Sequence, residues 1–225
     1  MQLKQYYWYF KSALSSKFCD DVIKHGIAQK ERMGLIGGVE NKIKKRMENQ
    51  SAVDHLSEEY LKTLSLEPTE IEDLKKKRDS NIAWLEDKWI YNEIHPFIHE
   101  ANKNAGWNFQ WDYSESCQFT KYKLDQYYDW HCDSFIDPYE DRNNVNFHGK
   151  IRKLSVTCSL SDPKDYEGGQ LEFQFRNNDD PMKTKICKEI LPKGSIVVFP
   201  SFVYHRVKPV TKGTRYSLVI WNLGY

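Results

Sequence analysis

The sequence predicts a mainly β fold with helices at its N-terminal end, on three observations. After Gly106, short β-branched or aromatic segments recur between turn clusters, the texture of a sandwich or barrel. Before Gly106, apolar residues twice follow helical spacing. No internal repeat and no Pro-, Gly- or Ser-rich linker divides the 225 residues. One domain over 1–225 is therefore expected, with 1–107 mostly helical support and 108–225 the β core.

Element by element, Tyr6 to Phe10 reads as a short aromatic strand. Ser15-Ser16 offers an N-cap to an amphipathic helix with Phe18, Cys19, Val22 and Ile23 on one side. Gly37-Gly38 and the basic run Lys42 to Arg46 suggest a loop whose charge is a solvated face. Residues 57–78 read as a charged surface helix with Leu61, Leu64 and Ile71 as its apolar contacts. From Asn81 to Asn104, Trp84, Leu85, Trp89, Ile90, Ile94, Phe97 and Ile98 predict a longer helix, kinked or split at Pro96. His95 and His99 lie four apart there, but no Glu follows His95, so packing histidines are the reading. The strand candidates are Phe109–Tyr122, Leu154–Leu160, Gln170–Phe175, Ser195–Phe199 and Tyr216–Trp221. Turn clusters separate them at 161–163, 167–169, 177–181, 192–194 and 212–213.

Composition excludes several function classes. Lys plus Arg (33) nearly balance Asp plus Glu (32), which argues against a strongly basic nucleic-acid binder. No apolar run approaches the roughly 20 residues that span a bilayer, and the first residues lack the apolar core of a signal peptide. Five widely spaced cysteines without a Cys-x-x-Cys pair suggest reduced thiols in an intracellular protein.

The chemistry concentrates in His131-Cys132-Asp133, a distant His205, and Arg215 ten residues beyond it. In a strand, residues i and i+2 share a side, so His131 and Asp133 converge on one ion while Cys132 points away. Two histidines and one carboxylate on one face of an octahedral metal leave three positions open, the pattern of non-haem Fe(II) oxygenases. By itself His-x-Asp is a pair that chance supplies. His205 and Arg215 add weight, because a guanidinium in a strand can hold a carboxylate bidentately deep in a barrel.

Three stretches carry a family resemblance: Tyr-Lys-Leu-Asp-Gln-Tyr-Tyr-Asp-Trp-His-Cys-Asp (122–133), Leu-Ser-Asp-Pro-Lys-Asp-Tyr-Glu-Gly-Gly-Gln-Leu (160–171), and Phe-Pro-Ser-Phe-Val-Tyr-His-Arg-Val-Lys-Pro-Val-Thr-Lys-Gly-Thr-Arg-Tyr-Ser (199–217). Together they resemble the catalytic core of Fe(II)/2-oxoglutarate-dependent dioxygenases, specifically the prolyl 4-hydroxylase-like branch of bacterial and phage type. The likeness covers about the last hundred residues, with weaker echoes in 81–107. It implies a double-stranded β-helix (jelly-roll) core, with His131, Asp133 and His205 as iron ligands. Arg215 and Tyr122 would hold the far carboxylate of 2-oxoglutarate. Many prolyl hydroxylases have Lys at the Arg215 position, a variation that leaves the role intact. Tyr128 and Trp221 fall where such enzymes contact substrate, though a core aromatic is an equal reading for both.

The implied reaction hydroxylates a C–H bond with O2 and releases succinate and CO2, with ascorbate as accessory reductant and a Pro-containing protein or peptide as substrate. A cytoplasmic setting in a bacterial or phage-infected cell follows from the same likeness. Gly168-Gly169 reads as a turn or bulge touching no ligand. Ser134–Lys150 and Gly37–Gln50 are candidate mobile covers, with ordered surface loops the alternative. Three other functions stay open: the same chemistry on a free amino acid, small metabolite or alkylated nucleobase; an inactive jelly-roll binding module; and a zinc or manganese cupin-like enzyme. The oligomeric state and the target sequence are not inferred.

Overall fold

The structure, a computed structural model, describes residues 3, 5–34, 72, 75–134, 136–175 and 183–225. The Gly37–Gln50 cover, the Lys42–Arg46 run, Leu61, Leu64 and Ile71 of the 57–78 helix, and the 177–181 turn lie outside the described residues.

The aromatic start forms strand β1 (Trp8–Phe10). Ser15 caps helix α1 (Ser16–Ala28), its side chain accepting from the Phe18 N–H at 3.1 Å, as the sequence suggests. Cys19, Val22 and Gly26 form its buried face. Gly26 lies so close to the sheet that a Cβ would sit 2.4 Å from the Phe119 ring.

Two short strands follow, β2 (Arg32–Met33) and β3 (Arg78–Asp79), so Arg78 is in a strand and not in the expected 57–78 helix. The helix expected from Asn81 is corrected as well. Asn81–Leu85 is strand β4, and the helix α2 spans Lys88–Asn104. Helical spacing of Trp84 and Leu85 was coincidental. In the fold, Ala83 and Leu85 join the helix-side core while Trp84 lies cross-strand from Gln118, the alternation of a strand. Pro96 neither splits nor ends α2. It is exposed, as is Asn92 one turn earlier, so the carbonyl deprived of a donor faces water. Ile90, Ile94, Ile98 and Ala101 supply the buried stripe.

The remaining strands are β5 (Tyr113–Ser114), β6 (Cys117–Tyr122), β7 (Tyr127–His131), β8 (Ile151–Ser159), β9 (Tyr166–Gly168) and β10 (Leu171–Gln174). They continue with β11 (Thr184–Ile186), β12 (Ile196–Pro200), β13 (Tyr204–Val207), β14 (Val210–Gly213) and β15 (Arg215–Gly224). Among the described residues they form a large sheet, β1-β12-β8-β15-β6-β4-β2 with β5 also on β15, and a smaller one, β11-β10-β13-β7-β3; β14 pairs with β9 separately. Every pairing is antiparallel. This is the jelly-roll arrangement, and the mainly β class with supporting helices stands.

Both faces of the large sheet are buried, and alternation divides the work. Leu154, Val156 and Cys158 of β8, Ile196 and Val198 of β12, and Leu218 and Ile220 of β15 meet α1 and α2. Each fully buried aliphatic side chain contributes about 1.5–3 kcal/mol. The opposite face carries Val197, Phe199 and Tyr122, which meet Leu171, Phe173 and Val207 of the smaller sheet. In the middle of this second face the apolar residues give way to polar ones, and there the site lies.

Candidate active site

Strands β7 and β13 pair with His131 directly opposite His205. Strand β7 ends at His131, so Asp133 lies beyond it and not within a continuous strand. Its carboxylate is instead aimed by the backbone: the Asp133 and Ser134 N–H groups both donate to the Ser201 carbonyl, at 2.8 and 3.0 Å. Asp133 Oδ1 is 3.6 Å from His131 Nε2, and Oδ2 is 3.7 Å from His205 Nε2. Among the described residues these three form the one His/Cys/Asp/Glu group able to hold a metal, their ligand atoms within 4.8 Å of one another. Cys132 takes no part in it; its thiol lies 3.6 Å from the Ser134 carbonyl.

The protonation states suit a divalent cation. His131 Nδ1 lies 2.7 Å from the Asp129 carbonyl, and His205 Nδ1 3.0 Å from that of Val203. A carbonyl accepts only, so each Nδ1 carries the proton and each Nε2 lone pair faces the centre, the outer-shell arrangement of metal-binding histidines. Burial, then the adjacent His205, push His131 down to about 3. Burial alone would raise Asp133, but His205, His131 and Arg152, with a hydrogen bond from Ser155, hold it below the usual carboxylate range. A neutral imidazole at His131 and an ionised carboxylate at Asp133 are the forms that bind metal.

Tyr128, three residues before His131, would face away in a regular strand. A register shift in the β7–β13 pairing, between His205↔His131 and Val207↔Tyr128, sets two β7 residues against Arg206 alone. Such a bulge re-aims side chains. It brings Tyr128 onto the His131 side, where the two rings stack with centroids 3.5 Å apart at 12°.

Behind the histidines the pocket is lined by Gln118, Tyr122, Thr157, Arg215, Ser217 and Trp221 among others. Arg215 is buried and lies cross-strand from Tyr122, with its guanidinium carbon 5.4 Å from that ring. Among the described residues it makes no ion pair; its hydrogen bond goes to Ser217 Oγ at 3.4 Å. Gly169 (φ 61°) has no room for a Cβ, which would fall 2.9 Å from Arg215 Cδ. Gly169 therefore shapes the wall behind that cation, beyond the turn role its sequence suggests.

Trp221 is three alternations along β15 from Arg215, near the other end of the pocket. Its indole N–H is buried and, among the described residues, has no hydrogen-bond partner. The Arg152 guanidinium lies 3.9 Å from its ring centroid. Glu115 grips Arg152 through two 2.6 Å hydrogen bonds, and the Tyr139 hydroxyl also bonds Glu115 at 3.2 Å. Tyr139 belongs to the candidate cover 134–150. In the described part of that segment Tyr139 N–H donates to the Lys150 carbonyl, Gly149 N–H donates back to Tyr139, and Lys150 Nζ meets Asp112 at 2.6 Å. These bonds tie the described part of the loop to 112–115.

Sequence reasoning missed Arg152, Glu115, Gln118, Ser155, Thr157 and Ser217. A signal existed: polar residues at every second position of otherwise apolar strands, as in Gln118-Phe119-Thr120 and Ser155-Val156-Thr157. Each of those polar side chains lies on the pocket side of its strand. His95, read as a packing residue, bonds Ser114 Oγ at 3.0 Å, and His99 stacks on Trp111 at 4.6 Å.

A jelly roll with a 2-His-1-carboxylate cluster and an arginine lining one buried pocket has the features of the non-haem iron oxygenases. Known proteins narrow this further. Residues 117–222 match the 2OG-Fe(II) oxygenase superfamily. A PKHD-type hydroxylase of a Synechococcus species is 38% identical over 68 residues, 30% of this chain and 27% of that protein. The chain spans less than half the length of the curated relatives it matches. Among solved structures, the viral collagen prolyl hydroxylase of Paramecium Bursaria Chlorella virus-1 has a TM-score of 0.59 at 17% identity, covering 99% of this chain and 98% of that one. A Trichoplax adhaerens prolyl hydroxylase, solved with a hypoxia inducible factor peptide fragment, has 0.57 at 16%, covering 97% and 84%. Residues 117–222 thus carry the likeness to the 2OG-Fe(II) oxygenase superfamily, and the chain shares the fold of these two prolyl hydroxylases.

Proposed function

We propose that the protein is an Fe(II)- and 2-oxoglutarate-dependent dioxygenase that hydroxylates a C–H bond, with a prolyl residue of a protein or peptide as its target. One observation carries the reading: the 2-His-1-carboxylate cluster and the carboxylate-free Arg215 line the same buried pocket. His131, Asp133 and His205 would hold the iron, which supplies O2 activation coupled to decarboxylation of 2-oxoglutarate to succinate and CO2.

The chain's own residues do the positioning. The Asp129 and Val203 carbonyls hold the two Nδ1 protons and keep the imidazoles facing inward. Arg215, a planar donor fork, would take the far carboxylate of 2-oxoglutarate, with the Tyr122 hydroxyl beside it. A buried carboxylate there would answer a guanidinium that makes no ion pair among the described residues. The interior between Leu171, Val207 and Val219 keeps water from the reacting centre.

Substrate would meet Tyr128 and Trp221. The unpartnered Trp221 N–H is a donor suited to a peptide carbonyl, and the prolyl hydroxylase folds of the neighbours favour a peptidyl proline. Ascorbate would act as accessory reductant, and a cytoplasmic setting remains our expectation; no described helix is long and apolar enough to cross a membrane. The test is mass spectrometry of Pro-rich peptides incubated with enzyme, Fe(II) and 2-oxoglutarate. We expect a gain of one oxygen on proline. Succinate release without that gain, across varied peptides, would move the target to a free amino acid, metabolite or nucleobase.

A further inference from the structure

We propose that Arg78 is a positioning residue for the metal centre: clamped under Gly34, it holds Tyr128 flat against the imidazole of His131. The inference rests on the reading of His131 as a metal ligand for its consequence, but not for its geometry.

Arg78 of β3 is cross-strand from Tyr128 of β7, and its guanidinium carbon lies 4.6 Å from the Tyr128 ring centroid. Tyr128 in turn stacks on His131, 3.5 Å away and 12° from parallel. Gly34 lies against the guanidinium: a Cβ there would fall 2.4 Å from Ser80 Oγ, 2.5 Å from Arg78 Nε and 2.7 Å from Cζ. The lateral position is held too: Arg78 Nε donates to Ser80 Oγ at 3.0 Å, and Gly34 N–H donates to the Ser80 carbonyl at 2.8 Å. Arg78 is only 4% exposed.

A clamp of this form needs a planar, permanently charged group. Guanidinium offers a flat face to an aromatic ring, whereas the ammonium of Lys is a point charge on a flexible stem. The clamp matters at His131 because the bulge leaves that ring without an intact ladder on the β7 side. On β13, His205 is packed differently, edge-on against Phe199 at 4.7 Å. Arg78 therefore acts on one histidine of the pair, which makes the other an internal control.

The test reads the imidazole protons of the metal-free protein by NMR. Each Nδ1–H is bonded to a carbonyl, which is expected to slow its exchange. In Arg78→Met, and separately in Gly34→Ala, the His131 proton is expected to exchange at least tenfold faster while that of His205 is unchanged. Arg78→Lys should resemble Arg78→Met. Titration with Mn(II) alone, without turnover, should give a dissociation constant about tenfold higher in each variant, the low end for loss of an outer-shell partner. Equal change at both histidines, no change at either, or full restoration by Arg78→Lys would overturn the clamp. A parent protein that binds no Mn(II) would count against the proposed function instead, and the exchange data would still decide the clamp.

Discussion

At the scale of single residues, the site divides its labour between groups that would hold metal and groups that would hold the co-substrate. That division makes two opposed predictions. Arg215→Ala removes a buried cation that is not one of the three ligand residues, so the 2-oxoglutarate KM should rise at least tenfold while bound iron changes little. Loss of iron on dialysis of Arg215→Ala would show that Arg215 supports the metal site instead. His205→Ala removes a ligand, and bound metal should fall at least tenfold, read by elemental analysis after dialysis, with turnover abolished. Trp221→Phe keeps the stacking face for Arg152 and deletes only the N–H. Its expected effect is a higher peptide KM, by roughly 5–10-fold for one lost hydrogen bond, with the 2-oxoglutarate KM unmoved.

At the scale of elements, the helices hold the large sheet in shape so that its inner face can carry polar groups. Helix α1 packs Gly26 against Phe119 of β6, where an added Cβ would force something to shift. Gly26→Ala should destabilise the protein by about 1–3 kcal/mol from overpacking, even though Ala is the better helix former. Thermal unfolding checks this; an unchanged or higher midpoint would mean that the Phe119 ring moves aside freely. The element boundaries also explain which readings succeeded. Ser15 capped a helix because a local side-chain bond decides such an end. Asn81–Leu85 became a strand because pairing with β6 outweighed a helix-like spacing of two aromatic and aliphatic residues.

At the scale of the whole molecule, burial of His131 couples stability to pH. An ordinary His titrates near 6.5, and His131 in the folded protein is pushed down to about 3. Between those values the unfolded chain binds a proton that the folded one refuses. Stability is therefore full above about 6.5 and is lost as pH falls toward 3, by roughly a few kcal/mol. Asp133, held low by its neighbours, acts in the same direction below the carboxylate range. The metal-free protein should show a melting midpoint that falls through this window, and His131→Gln should flatten the fall. A midpoint independent of pH between 6.5 and 4 would mean that the buried cluster accepts protons without cost.

The sequence by itself determined the mainly β class, the cap at Ser15 and the residue types of the site, since turn chemistry, periodicity and ligand chemistry are local properties. His131 and Asp133 were readable as a pair from two-residue spacing, although the strand ends before Asp133 and a shared carbonyl does the aiming. Only the tertiary structure decided what faces the pocket. A bulge, invisible in composition, turned Tyr128 inward. Strand order brought His205 opposite His131, Arg215 opposite Tyr122 and Arg78 opposite Tyr128. Those juxtapositions join residues distant in sequence through antiparallel register, and register follows from which faces can be buried together.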